Sequence, residues 1–89
     1  MYALSSEQVE KLCEIAEESA RRYIMSKVSR QKVSDLNITV EAEKKETLMI
    51  NVDVEVRLSP LLQELDVERL VKGAVDAAFN SIEEFLRKV

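Results

Sequence analysis

The sequence predicts an α+β fold of order α-β-β-α, an antiparallel β-hairpin with both long helices packed on one of its faces. Three observations predict it. Apolar residues recur at helical spacing near each end of the chain, at Val9, Leu12, Cys13, Ala16, Ala20, Tyr23 and Ile24, and again at Val67, Leu70, Val71, Ala74, Ala78, Ile82, Phe85 and Val89. Between them, "LNITVEA" and "LMINVDVEVRL" alternate apolar and polar with period two, as half-buried strands do. The short "EKKET" between the two runs is long enough only for a hairpin loop.

The first helix has a readable start. Ser5 and Gln8 have the spacing of a capping box, and Leu4 and Val9 that of a hydrophobic staple. Lys27 would fall in the middle of the apolar stripe, so core contact is expected to end near Ile24.

In the hairpin the apolar positions are even-numbered in both strands. A two-residue loop at Lys44-Lys45 would therefore turn one strand inside out. A three- or five-residue loop keeps one apolar face, and the register expected here pairs Ala42 with Leu48, Val40 with Ile50 and Thr39 with Asn51. The second strand then outruns the first, leaving "VEVRL" without a partner inside the hairpin.

After the strands, Ser59-Pro60 predicts a short helical turn over residues 60–64. Asp66 caps the last helix, with Leu65 and Leu70 placed for a second staple. Lys72–Asp76, Glu83–Arg87 and Glu84–Lys88 set opposite charges four residues apart on its wet side.

A two-stranded ribbon is marginal alone and leaves free edges, so the hairpins are expected to pair between subunits of a homodimer or higher oligomer. The last helix carries a second apolar stripe, Val75, Phe79, Ile82 and Leu86, beside the first. Its other shoulder carries Gly73 and Ala77, small residues that allow close backbone approach. Gly73, Val75, Ala77, Phe79 and Leu86 are the candidate subunit interface. Packing of this second stripe on the first helix of the same chain is the equal alternative.

Composition narrows function. The 89 residues hold one domain, residues 1–89. A single Cys13, on the apolar stripe, excludes an internal disulfide and fits a reducing compartment. No apolar run reaches the ~20 residues that span a bilayer, and "MYALSSEQVE" lacks the pattern of a signal peptide, so a cytoplasmic setting without membrane contact is expected. The abundance of Glu, Lys, Arg and Val leans towards a thermophile source.

There is no His, which removes the commonest general base and metal ligand. One Gly excludes a Gly-rich phosphate loop. Asn51, Asp53 and Glu55 share a strand face with Glu41 and Thr39 opposite, oxygen ligands of the kind Mg²⁺ takes. Alternation alone demands polar residues on an outer sheet face, however, and that reading is preferred. No catalytic residue, cofactor or metal site is predicted, and the protein is expected not to be an enzyme.

The net charge of −4 argues against general DNA binding. One stretch, "SARRYIMSKVSRQK", nevertheless carries Arg21, Arg22, Lys27, Arg30 and Lys32 and no acid. Arg21 and Arg22 follow Glu17 and Glu18 by four residues and should pair with them. The rest sits where a helix C-terminus attracts positive charge. Met25 projects to the polar face beside them, a mixture found at protein interfaces. Arg21, Arg22, Met25, Lys27, Arg30 and Lys32 are thus a candidate contact for another protein, and less readily for RNA.

The last third, "VEVRLSPLLQELDVERLVKGAVDAAFNSIEEFLRKV", resembles a small archaeal protein family of unknown function. The likeness lies in the strand running into "LSP", the Asp-capped "DVERLV" and the Ala-rich "AVDAAFNSIEE", and with the upstream elements it covers nearly the whole chain. It implies a helix–hairpin–helix fold and an archaeal cytosolic setting, and it carries over no catalytic residue. The function expected from all this is a non-catalytic, homo-oligomeric interaction or scaffold protein, with an RNA-binding accessory protein as the alternative.

Overall fold

A computed structural model describes residues 4–59 and 66–89. The order is α1 (Ser6–Lys27), a single 3-10 turn (Arg30–Lys32), β1 (Val33–Lys44), β2 (Leu48–Leu58) and α2 (Val67–Lys88). The turn expected over residues 60–64, and Leu65 of the second staple, lie outside the described residues.

α1 starts as its sequence dictates. The Gln8 amide donates to the Ser5 hydroxyl at 3.2 Å, and the Ser5 amide donates to Gln8 Oε1 at 2.9 Å. The reciprocal bonds satisfy two donors that a helix start otherwise leaves open. Leu4 and Val9 both join the apolar core. At α2 the Arg69 amide donates to Asp66 Oδ1 at 3.2 Å. α1 runs on past Ile24 to Lys27, and the chain then turns extended and buries Val28. The core therefore continues to Val28, beyond the Ile24 at which the stripe ends.

The two helices bury the same pattern. Leu12, Ala16, Ala20 and Ile24 of α1 meet Leu70, Ala74, Ala78 and Ile82 of α2, each set at four-residue spacing. The four alanines are wholly inaccessible, so small side chains line the contact and the helix backbones come close. The helices run antiparallel, since Ser19 meets Ser81 and Tyr23 meets Gly73. The predicted stripe of α2 is shorter than expected at its ends. Val67 and Val89 are exposed, because α2 outlasts the core it covers.

In the hairpin, the even-numbered residues from Leu36 to Ala42 and from Leu48 to Leu58 pack towards the helices and the odd-numbered ones between them are exposed, as alternation requires. The register differs from expectation by one step of two residues. Lys44 pairs Leu48, Ala42 pairs Ile50, Val40 pairs Val52 and Glu41 pairs Asn51 across a loop of Lys45, Glu46 and Thr47. Parity holds in either register, so the apolar face cannot choose between them. Charge does. The expected register would set Asp35 opposite Glu55, whereas the observed one sets Asp35 opposite Arg57 and every other acid opposite a neutral residue.

β1 also begins earlier than expected, at Val33, with an irregularity between Val33 and Asp35. Leu36, Asp35 and Val33 thereby partner Val56, Arg57 and Leu58. "VEVRL" is thus fully paired within the chain, and the overhang expected to seek a second subunit does not exist. Among the described residues the sheet has two strands, each with one unpaired outer edge.

Candidate functional site

The basic stretch does not form one patch. Arg21 Nη2 lies 2.8 Å from Glu17 Oε1, and Arg22 Nη2 lies 2.7 Å from Glu18 Oε1. Lys27 Nζ sits 5.5 Å from the centroid of the Tyr23 ring, within range of a cation–π contact. At ~100° per residue, Arg21, Arg22 and Lys27 also point to three different sides of α1. Arg30 and Lys32, in the 3-10 turn, are exposed and make no ion pair among the described residues.

Met25 corrects the sequence reading. It is half-buried rather than exposed. A long unbranched side chain lies back along its own helix over the preceding turn, which shelters it even on the polar side.

The second candidate surface divides. Gly73 is not free for a subunit contact, because the Tyr23 ring of α1 occupies the space where a Cβ would stand. Its lack of a side chain is what lets the ring lie against α2. Ala77, half-buried, lies on the same side of α2 as Gly73. Val75 and Leu86 are half-buried against the core of their own chain, and Ile82 is within that core. Phe79 alone of the group stays exposed, at 39%.

Sequence reading missed the contact that closes the helix pair on its outer side. The Ser19 and Ser81 hydroxyls hydrogen-bond to each other across the helices. They floor a groove of about 330 Å³ rimmed by Glu18 and Arg22 of α1 and Glu84 and Lys88 of α2. The signal was Ser19 itself, a small polar residue beside the buried Ala16 and Ala20 stripe. A further side-chain tie lies just before α1, where Lys44 Nζ donates to the Leu4 carbonyl.

The open sheet face carries Asp35, Asn37, Thr39, Glu41 and Glu43 on β1 beside Arg57, Glu55, Asp53, Asn51 and Met49 on β2. The register interleaves its acids with neutral residues, and among the described residues no group of three or more potential ligands could hold a metal ion. A shallow depression of about 210 Å³ lies between Thr39, Glu41, Asn51 and Asp53. Cys13 is half-buried, and burial pushes its thiol above the ordinary range, so the thiolate is disfavoured. No helix among the described residues is long and apolar enough to cross a membrane.

This arrangement defines a small two-layer α+β protein, two antiparallel helices packed over a two-stranded antiparallel hairpin. The chain belongs to the family described as "Protein of unknown function (DUF3194)", whose profile matches residues 1–85. It is 33% identical over 86 residues to an uncharacterized protein of Pyrococcus furiosus, covering 97% of this chain and 77% of the relative. A Methanothermobacter thermautotrophicus relative is 36% identical over 64 residues, 72% of this chain and 68% of that protein. The solution structure of the hypothetical protein mth677 from that organism superposes with a TM-score of 0.83 at 27% identity, covering 99% of this chain and 94% of that one. A crystal structure from Thermococcus onnurineus gives 0.82 at 30% identity, over 99% and 84% of the two chains.

Proposed function

We propose that the chain is a non-catalytic, self-associating interaction protein of the cytoplasm, a scaffold component rather than an enzyme. The observation that carries this is the outer flank of α2, where Phe79 is exposed between the half-buried Val75 and Leu86. An aromatic ring left in water at the centre of an apolar strip is the usual anchor of a protein contact. The thin core of a chain this size adds a reason to associate.

Light scattering across a range from about 5 to about 500 µM tests the reading, a window wide enough for a small interface. Mass should rise from one chain towards two. A constant single-chain mass over that window sinks it. RNA recognition would rest on Arg30 and Lys32, since Arg21, Arg22 and Lys27 already have partners, and no observation favours it.

A further inference from the structure

Self-association leaves open which surface meets which. The hairpin edges and the helix flanks compete, and charge separates them. At ~100° per residue, Val75, Phe79 and Leu86 lie within about 40° of one another, on the side of α2 opposite Gly73 and Ser81. Those two residues face α1. The apolar strip therefore faces away from α1, with Val75 and Leu86 half-buried against their own core and Phe79 exposed.

The corresponding outward side of α1 is different. It carries Glu10, Glu17 and Arg21, with Glu17 and Arg21 ion-paired. Only α2 offers an apolar flank.

Four of the charges beside that strip, Asp76 apart, match themselves under a two-fold rotation. Glu68 and Lys72 precede Phe79, and Glu83 and Arg87 follow it. All four are exposed and make no ion pair among the described residues, although Glu68 and Lys72, like Glu83 and Arg87, are four residues apart. We infer that two copies associate through the outer flanks of α2, crossing antiparallel near its midpoint. Phe79, Val75 and Leu86 then pack at the centre, Lys72 faces Glu83 of the second copy, and Glu68 faces its Arg87. This rests on the self-association proposed above and gives it a geometry.

The strand edges do not share the work. α2 runs antiparallel to β2, because α1 ends beside the start of β1 and the helices oppose each other. With ~1.5 Å per helical residue and ~3.3 Å per strand residue, the middle of α2 lies level with about Asp53. A two-fold axis there would bring Asp53 against Asp53 of the second copy on a face already rich in acid, which disfavours a ladder between β2 edges.

Sedimentation equilibrium of the full chain and four variants tests this, with circular dichroism confirming that each stays folded. Lys72→Glu and Glu83→Lys should each weaken the dimer by about tenfold or more, since each reverses two symmetry-related pairs. The double variant Lys72→Glu/Glu83→Lys should return to within about threefold of the original, because the pairs re-form with exchanged signs. Phe79→Asp should abolish the dimer. A dimer unchanged in Phe79→Asp and Lys72→Glu overturns this geometry while self-association stands, and points to the hairpin edges. Failure of the double variant to recover overturns the charge pairing. A wild-type chain that stays monomeric overturns self-association itself and leaves the α2 flank to a different protein.

Discussion

The single glycine shows how one residue couples the two helices. Gly73 lacks the atom that would collide with Tyr23, and Tyr23 in turn carries Lys27 over its ring. One missing methyl group thus sets where α1 lies on α2 and gives a terminal lysine its partner. Gly73→Ala should destabilise the fold by up to ~2 kcal/mol, because overpacking costs ~1–3 kcal/mol against a helix-propensity gain of ~1 kcal/mol. In a Tyr23→Ala background the sign should reverse, with Gly73→Ala stabilising by up to ~1 kcal/mol. Urea unfolding of the four proteins measures the coupling. Stabilisation by Gly73→Ala with Tyr23 present would refute the packing account. The sequence announced that Gly73 had a packing reason, yet not its partner. A glycine at a helix surface admits a neighbour from any direction, and Tyr23 looked like one more member of the α1 stripe. Met25 was misplaced for a related reason: angular position tells where a side chain leaves the helix, not where a flexible one comes to rest.

At the level of elements, the helices and their caps were legible because each signal is local. Ser5, Gln8 and Asp66 act on backbone groups three residues away. The hairpin was legible only in part. Its apolar face is fixed by parity, but two registers share that parity, and the choice falls to cross-strand charges. Arg57 is the discriminating residue, since it is the only cation among the outward-facing residues of β1 and β2 before Lys44 and Lys45 near the loop. Arg57→Glu should therefore destabilise the chain by up to ~1 kcal/mol by placing acid opposite Asp35. Asp35→Arg combined with Arg57→Glu should restore most of it. Thermal or urea melts of the unaltered chain and the two variants decide the matter. Equal losses in the single and double variants would mean that the pair does not select the register.

The whole molecule is a rod. Its extents are 47 × 20 × 19 Å, and its Cα radius of gyration is 14.5 Å, against about 12 Å for a compact chain of this length. Elongation spreads the core along the axis, and the apolar strand residues that face the helices, other than Val54 and Val56, remain only half-buried. Assembly through the α2 flank, as proposed, would join two rods side by side. X-ray scattering should then show the mass doubling with concentration while the maximum dimension grows little, because width rather than length increases. End-to-end growth of that dimension would rule out a lateral contact. The fold class was legible at this scale, whereas the free part of the α2 surface was not, since a helix stripe shows that a surface is apolar without showing what already covers it. The charged outer side of α1 has a last consequence. A rod apolar on both flanks could add neighbours on either side without limit and grow into ribbons or fibres. Glu10, Glu17 and Arg21 make one flank hydrophilic, so association through the α2 flank, as proposed, would terminate as soon as two such sides met.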